Sequence, residues 1–181
     1  MEIDWQQVLL DHGPTVWKTV RRLVGNEADA RDVYQVTFLE AFQFTQKSTV
    51  DDWIRLLRRI ARMRALDLLR KRYRWASRFE PEAVSEHAVD TESAPEARLV
   101  KAELSEQLRF ALTRLTDQQA EVFVMRHVEE LPYEEIALRT DSNRNAVGVM
   151  LNRARKQLRE LLVPYVDSQA DATSTSQEPS S

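Results

Sequence analysis

Residues 132–156, PYEEIALRTDSNRNAVGVMLNRARK, describe two helices joined by a tight polar turn. Pro132 suits a first helical turn, where its missing N–H would have had no partner anyway. Ile136 and Ala137 mark the inner face of a short helix over 133–140. Asp141, Ser142 and Asn143 supply the turn, and Asn143 can cap the second helix. That helix, over 144–162, turns Val147, Leu151 and Ala154 inward and exposes Arg144, Asn145, Arg153, Arg155 and Lys156. This is the pattern of a helix-turn-helix. A helix fits the major groove of DNA, and long cationic side chains reach both phosphates and base edges. A helical bundle end with a solvated basic face would show the same spacing, so the residues alone leave both readings open.

Outward from that stretch the periodicity stays helical. Apolar residues recur at three-and-four spacing over 15–24 (Val16, Trp17, Val20, Leu23, Val24), and Gly25-Asn26 then ends the turn. The same spacing runs over 29–43 through Ala30, Val33, Tyr34, Thr37, Phe38, Ala41 and Phe42. A third helix over 51–73 faces Trp53, Leu56, Leu57, Ile60, Ala61, Leu68 and Leu69 inward, with its arginines expected mostly on the opposite, solvated side. Helices over 99–115 and 118–129 come next, the latter capped by Thr116-Asp117 and ended by Leu131-Pro132. The expected fold class is all-α, in two small helical domains.

Charge divides the chain more sharply than its net value of −3 suggests. Trp53 to Arg78 holds ten basic residues against Asp67, a net of +9. Phe79 to Ala97 holds six acids and no Lys or Arg, a net of −6, together with Pro81, Pro95 and several Ser and Thr. Arg139 to Arg159 returns to +5. The acidic stretch buries too little apolar surface to offset its ordering entropy, so it reads as a flexible linker. The segment after Val166, DSQADATSTSQEPSS, reads as a disordered tail for the same reason. These shifts place the boundaries at 1–78, a linker at 79–98, a second domain at 99–165 and a tail at 166–181.

Composition removes several classes of function. The chain has 181 residues, 3 glycines and no cysteine, so disulfides, thiolate metal sites and cysteine nucleophiles are excluded. No stretch reaches the roughly 18 apolar residues that a membrane span needs, and acids near the start, in MEIDWQQVLLDHG, argue against an export signal. His127 and Glu130 can share a helix face, but no H-E-x-x-H pattern exists, and His12, His87 and His127 lie in different segments. No cofactor, metal or catalytic residue is expected. The dense arginines of residues 53–78, with Trp53, Tyr73 and Trp75 interleaved, suit nucleic acid, since cations hold phosphates and aromatic faces stack on unpaired bases. A solvated face or a surface for an acidic partner fits them equally well.

Three stretches together resemble a known family. ARDVYQVTFLEAF (30–42) resembles the start of domain 2 of bacterial RNA polymerase sigma factors. WIRLLRRIARMRALDLLRKRYR (53–74) resembles the promoter-melting segment that comes after it, and LTRLTDQQAEVFVMRHVEELPYEEIALRT (112–140) with NAVGVMLNRARKQL (145–158) resembles sigma domain 4. Their order, with nothing expected before domain 2 and no intervening domain 3, is similar to the extracytoplasmic-function (ECF) group. The resemblance implies a cytoplasmic, non-enzymatic protein that binds core RNA polymerase, selects a promoter and helps open it. It implies core-polymerase contacts at Asp32, Gln35, Thr37 and Glu40, with Phe38 in the core. Minus-ten DNA contacts fall on Arg58, Arg59, Arg62, Met63, Arg64, Arg70 and Arg72, beside a pocket lip at Thr45–Thr49. Minus-thirty-five contacts fall on Arg144, Asn145, Gly148, Val149, Asn152, Arg153, Arg155 and Lys156. The partners implied are core polymerase and promoter DNA, duplex and melted, with an anti-sigma factor as a further one. The alternative is a polymerase-independent helix-turn-helix regulator, which leaves ARDVYQVTFLEAF without a purpose.

Departures from the family pattern are specific. Met63 stands where Asn is usual, and Val36 where an acid usually follows Gln35. Asp141-Ser142 replaces a Gly and an apolar residue in the turn. Gly148 and Met150 replace residues that are often polar or basic.

Overall fold

The computed structural model describes residues 3–79 and 95–175, and all of its secondary structure there is helical. In chain order the helices are α1 (Trp5–Val24), α2 (Glu27–Thr45), α3 (Trp53–Phe79), α4 (Pro95–Leu112), α5 (Asp117–His127), α6 (Tyr133–Arg139) and α7 (Arg144–Thr175). The all-α reading of the sequence is what the structure has.

Helices α1 to α3 pack on one another around Val16, Val20, Leu23, Val24, Ala30, Val33, Ala41, Leu57, Ala61 and Ala65, all buried. Local chemistry sets their ends. Asp4 caps α1 by accepting the Gln7 N–H, and Asn26 caps α2 by accepting the Asp29 N–H at 2.8 Å. Between them Gly25 adopts φ 88°, a conformation open to glycine. A Cβ there would also run into the guanidinium of Arg109 from α4.

In the second half, α7 packs against α4, α5 and α6. Thr116 and Gln119 form a reciprocal capping box at the start of α5. A separate small core of Val122, Met125, Ile136, Ala137, Val147 and Leu151 holds α5, α6 and α7 together.

The two halves are not independent bodies. The main core runs from Val20 and Leu66 of the first half into Ala111, Leu112, Leu115, Ala120, Val124, Ala154 and Leu158 of the second. Polar contacts cross the same boundary. The Arg109 Nε–H donates to the Leu23 carbonyl at 3.0 Å, and Arg22 donates to the Val128 carbonyl at 3.2 Å. Arg72 meets Asp29 at 3.3 Å and Glu106 at 3.0 Å, tying α2, α3 and α4 at one point. Beside it the buried Tyr73 hydroxyl donates to the Glu106 carboxylate. Burial first, and the Glu106 carboxylate second, push its phenol well above the usual tyrosine range.

Several boundaries differ from those read off the sequence. Helix α1 begins ten residues before residue 15, running through Gly13-Pro14. Pro14 forfeits one helical hydrogen bond, but it is exposed, as is Leu10, so water can reach the carbonyl left over. Helix α4 begins at Pro95, inside the expected linker, because proline suits a first turn. The rest of that linker, residues 80–94, lies outside the described residues. Helix α7 continues to Thr175, so residues 166–175 are not the disordered tail that was expected. No Gly or Pro follows Val166 until Pro179, and Ala170 and Ala172 favour the helix. Residues 176–181 lie outside the described residues.

Replacing Gly25 with Ala forces a strained φ and a collision with Arg109. It should destabilise the chain by more than about 1 kcal/mol, read as a lower urea midpoint with an unchanged slope.

Candidate nucleic-acid interface

The turn between α6 and α7 is built from side chains suited to it. Asp141 takes φ 48°, a left-handed conformation that Asp tolerates better than most residues, at the position where the resembled family usually has Gly. The Ser142 N–H then reaches the Ala137 carbonyl at 2.9 Å. Asn143 caps α7, its Oδ1 accepting the Ala146 N–H at 2.9 Å.

With Val147, Leu151 and Ala154 buried, the opposite side of α7 presents Arg144, Asn145, Val149, Asn152, Arg153 and Lys156 to solvent, with Gly148 and Arg155 half-buried at its edges. Its ion pairs are local and loose. Arg144 lies 2.9 Å from Glu134, Lys156 lies 4.0 Å from Glu160, and all four side chains are more than half exposed. Such pairs are worth little in water, so these cations can exchange partners at small cost.

The arginines of α3 are placed differently, and the expected solvated face is corrected here. Arg62 is 2% exposed, and its guanidinium lies between Glu129 at 2.8 Å and Glu121 at 3.2 Å. Arg58 approaches the other oxygen of Glu129 at 3.9 Å. The Glu129 side chain has no exposed surface. Arg70 meets Asp117 at 2.8 Å and Asp67 at 3.6 Å, and Arg64 meets Glu40 at 2.6 Å and Asp67 at 3.7 Å. With Arg72 on Asp29 and Glu106, five of the six arginines singled out on this helix are ion-paired, four of them to acids of α4, α5 or the corner after α5. The sequence put these arginines opposite the core. The structure places a second core there, carrying its own acids. Arg59 and Met63 remain exposed, one helical turn apart.

Arg59 also looks across at the helix-turn-helix. A cleft of about 780 Å³ separates them, walled by Arg59 on one side and by Arg139, Val149, Met150 and Arg153 on the other. The α3 face and the recognition helix thus border a single space.

On α2, Asp32 and Gln35 are exposed and Glu40 is half-buried against Arg64. Thr37 is fully buried, its hydroxyl donating to the Val33 carbonyl at 2.7 Å. It therefore cannot touch a partner here, and the contact expected of it is corrected to a place in the core. Phe38 packs against that core. Sequence reasoning missed Leu39, which is 55% exposed and shares a face with Asp32, Gln35 and Val36. The signal was available: a second apolar stripe of Val36, Leu39 and Phe42, at i, i+3 and i+6, on a helix whose core face is already filled.

His127 stacks on Phe123 with ring centroids 4.4 Å apart and lies 3.5 Å from Arg155. Burial first, then Arg155 and Arg126, hold its imidazole below the usual histidine range. Glu130, its expected face-mate, turns away to Arg22 at 3.5 Å. Among the described residues no cluster of three or more His, Cys, Asp or Glu could hold a metal ion, and no helix is long and apolar enough to cross a membrane.

A three-helix unit with an arginine-rich third helix, followed by a helix-turn-helix unit, is the architecture of a two-region sigma factor. Residues 9–75 match the family model of sigma-70 region 2, and residues 105–158 match that of sigma-70 region 4. The chain belongs to the sigma factors of RNA polymerase, in the extracytoplasmic-function group. It is 29% identical over 171 residues to the ECF RNA polymerase sigma factor SigE of Mycolicibacterium smegmatis, covering 93% of this chain and 65% of that one. It is 31% identical over 137 residues to the RNA polymerase sigma factor YlaC of Bacillus subtilis, covering 72% of this chain and 76% of the relative. Its fold is similar to that of the sigma factor RpoE from Bartonella quintana, solved with the anti-sigma factor NepR. The TM-score is 0.53 at 23% identity, covering 88% of this chain and 96% of that one. The chain thus spans just under two thirds of the SigE relative's length.

Gly148 sits in the middle of a helix with room to spare. A Cβ there would meet the Tyr133 ring at an ordinary 3.8 Å. Gly148→Ala should therefore stabilise the fold by up to about 1 kcal/mol, the opposite sign to Gly25→Ala, with the urea midpoint as the measurement.

Proposed function

We propose that this chain binds bacterial core RNA polymerase and directs it to selected promoters, where it helps open the duplex. The observation that carries this reading is the match to regions 2 and 4 in order on one chain. It acts without catalytic residues, cofactor or metal, and works in the cytoplasm, where polymerase and chromosome meet. An anti-sigma factor is a further partner on this reading, as for the RpoE relative solved with NepR.

In this assignment region 2 occupies 1–78 and region 4 occupies 99–165, joined by the acidic segment. The exposed α2 face of Asp32, Gln35, Val36 and Leu39 docks on polymerase, with Glu40 at its edge. Val36 adds apolar surface where the family usually carries an acid. A contact apolar at its centre gains more from water exclusion than an exposed ion pair would. Arg58, Arg59, Arg62, Arg64, Arg70 and Arg72 serve the minus-ten strand, and Met63, exposed beside Arg59, faces the flipped base. Flipping costs a few kcal/mol in lost stacking, which cationic and apolar contacts must offset.

On α7, Arg144, Asn145, Val149 and Asn152 lie toward base edges, and Gly148 lets the helix approach closely. Arg153, Arg155 and Lys156 meet phosphates, which fix register without reading sequence. A Val149 side chain suits a thymine methyl, and an exposed Asn suits adenine.

The decisive test is transcription by core enzyme with and without the chain on genomic templates. Defined start sites that need the chain support the reading, and none above core alone refutes it. Within that assay Leu39→Ala should weaken core-polymerase binding about tenfold while leaving thermal stability unchanged, because the side chain is largely exposed. Arg144→Ala should relax promoter choice, at about 1–3 kcal/mol of lost discrimination. Lys156→Ala should weaken all promoters alike and lower the salt slope of binding by about one.

A further inference from the structure

On α3, Arg70, Tyr73 and Arg74 stand at i, i+3 and i+4, and Phe110, Thr113 and Arg114 repeat that spacing at the end of α4. The two triplets line one cavity of about 310 Å³. We propose that this cavity is a binding site for a free nucleoside phosphate, its phosphates held by Arg70 and Arg74 and its base laid on Arg114. The inference goes beyond the sigma-factor reading and does not depend on it.

Three observations carry it. The first is positive charge with weak opposition. Three guanidiniums border one small space. Arg70 lies 2.8 Å from Asp117 and 3.6 Å from Asp67, but those acidic side chains are 90% and 55% exposed, so both pairs are solvated and weak. Arg114 makes no ion pair among the described residues. A phosphate answers such an excess of charge, because its oxygens fit the guanidinium fork two at a time.

Second, one donor is unsatisfied. The Arg70 Nη2 is buried yet makes no aligned hydrogen bond, so its approach to Asp117 is a charge contact only. A buried N–H without an acceptor is costly, and the cavity beside it has room for a phosphate oxygen.

Third, the walls suit a nucleoside. Tyr73 and Phe110 meet edge to face with centroids 5.5 Å apart, and the Tyr73 hydroxyl turns away to Glu106, so ring carbon lies between the arginines. The Arg114 guanidinium lies over the Phe110 ring, 4.8 Å from its centroid. Arg114 is exposed, and its outer face can carry a base in a stacking that demands no particular base. The Thr113 hydroxyl donates to the Phe110 carbonyl at 2.7 Å and can still accept from a ribose hydroxyl. A cavity of about 310 Å³ is at the small end for ligand pockets and suits a single nucleotide rather than a strand.

The test uses the full chain without magnesium, which would take up the phosphate charge. Roughly 1 mM GDP should raise the thermal midpoint, because a ligand that binds only the folded chain stabilises it by mass action. Calorimetric titration should show one site, weakened about tenfold in R74Q and in R114Q by the loss of one charge-assisted contact. The site should be unchanged in K18Q, which removes an equal charge from the exposed face of α1. Arg74 and Arg114 are exposed, so both variants should keep their helical dichroism; if one does not, the other decides. No binding of GDP, or an equal loss in K18Q, overturns the site. Pyrophosphate binding as tightly as GDP leaves an anion site without a base and overturns the nucleotide. A single-stranded oligonucleotide that binds more tightly than GDP, and is weakened as much in R114Q, makes the cavity part of a strand path and overturns it too. None of these readouts needs polymerase or promoter. A chain that fails to programme core polymerase therefore refutes the function and leaves the site standing.

Discussion

Arg62 cannot shed its charge to be buried, because a guanidinium has no accessible neutral form. Everything packed against it must answer that charge. Glu129 does so with a side chain that has no exposed surface, and Glu121 does so from the flank of α5. The corner at Glu130 and the seating of α5 against α3 bring those carboxylates within reach. Helix α3 consequently works on three sides at once. Leu57, Ala61 and Ala65 serve the α1–α2 core, Arg58, Arg62 and Tyr73 meet the second half, and Arg59, Met63, Asp67 and Lys71 form the stripe left in water.

The apolar and ionic parts of this boundary do different things. Ala111, Leu112, Leu115, Ala120 and Val124 supply burial, which is favourable but indifferent to register. The ion pairs supply little net free energy once desolvation is counted, yet each tolerates only one alignment. Arg72 on Asp29 and Glu106, Arg70 on Asp117, and Arg62 on Glu121 and Glu129 lie at intervals along α3, so a slip of one helical turn would break all three. Apolar contact makes the halves adhere, and charge decides where. The boundary is therefore well defined in shape without requiring great strength.

How much of this the sequence showed depends on the range over which each feature is decided. The helix-turn-helix was legible because its determinants are local. Pro132, Asp141 and Asn143 act within one turn of where they stand, and Val147, Leu151 and Ala154 announce a buried face by spacing alone. The helices of the first half were legible for the same reason, although Gly13-Pro14 concealed the first ten residues of α1. What stayed hidden was long-range. Nothing near Arg62 in the sequence distinguishes it from Arg59, three residues away, yet one is buried and the other exposed. The difference comes from Glu121 and Glu129, some sixty residues downstream. Thr37 misled in the opposite sense: a polar residue in a family motif invited a contact, while its hydroxyl satisfies its own helix at the Val33 carbonyl. Leu39 was passed over because an exposed leucine is ordinary until the core face of its helix is known to be full.

The two candidate DNA surfaces are restrained unequally, and this bears on the order of events on the proposed reading. Asn145, Val149 and Asn152 on α7 are exposed, and the salt bridges of the neighbouring cations are solvated and weak. The arginines of α3 are engaged by carboxylates, one of them fully enclosed. A surface in water answers a phosphate at once, whereas a buried pair must first be separated. On that reading duplex contact through α7 demands little rearrangement, while a phosphate reaches Arg62 only by displacing the carboxylates that enclose it.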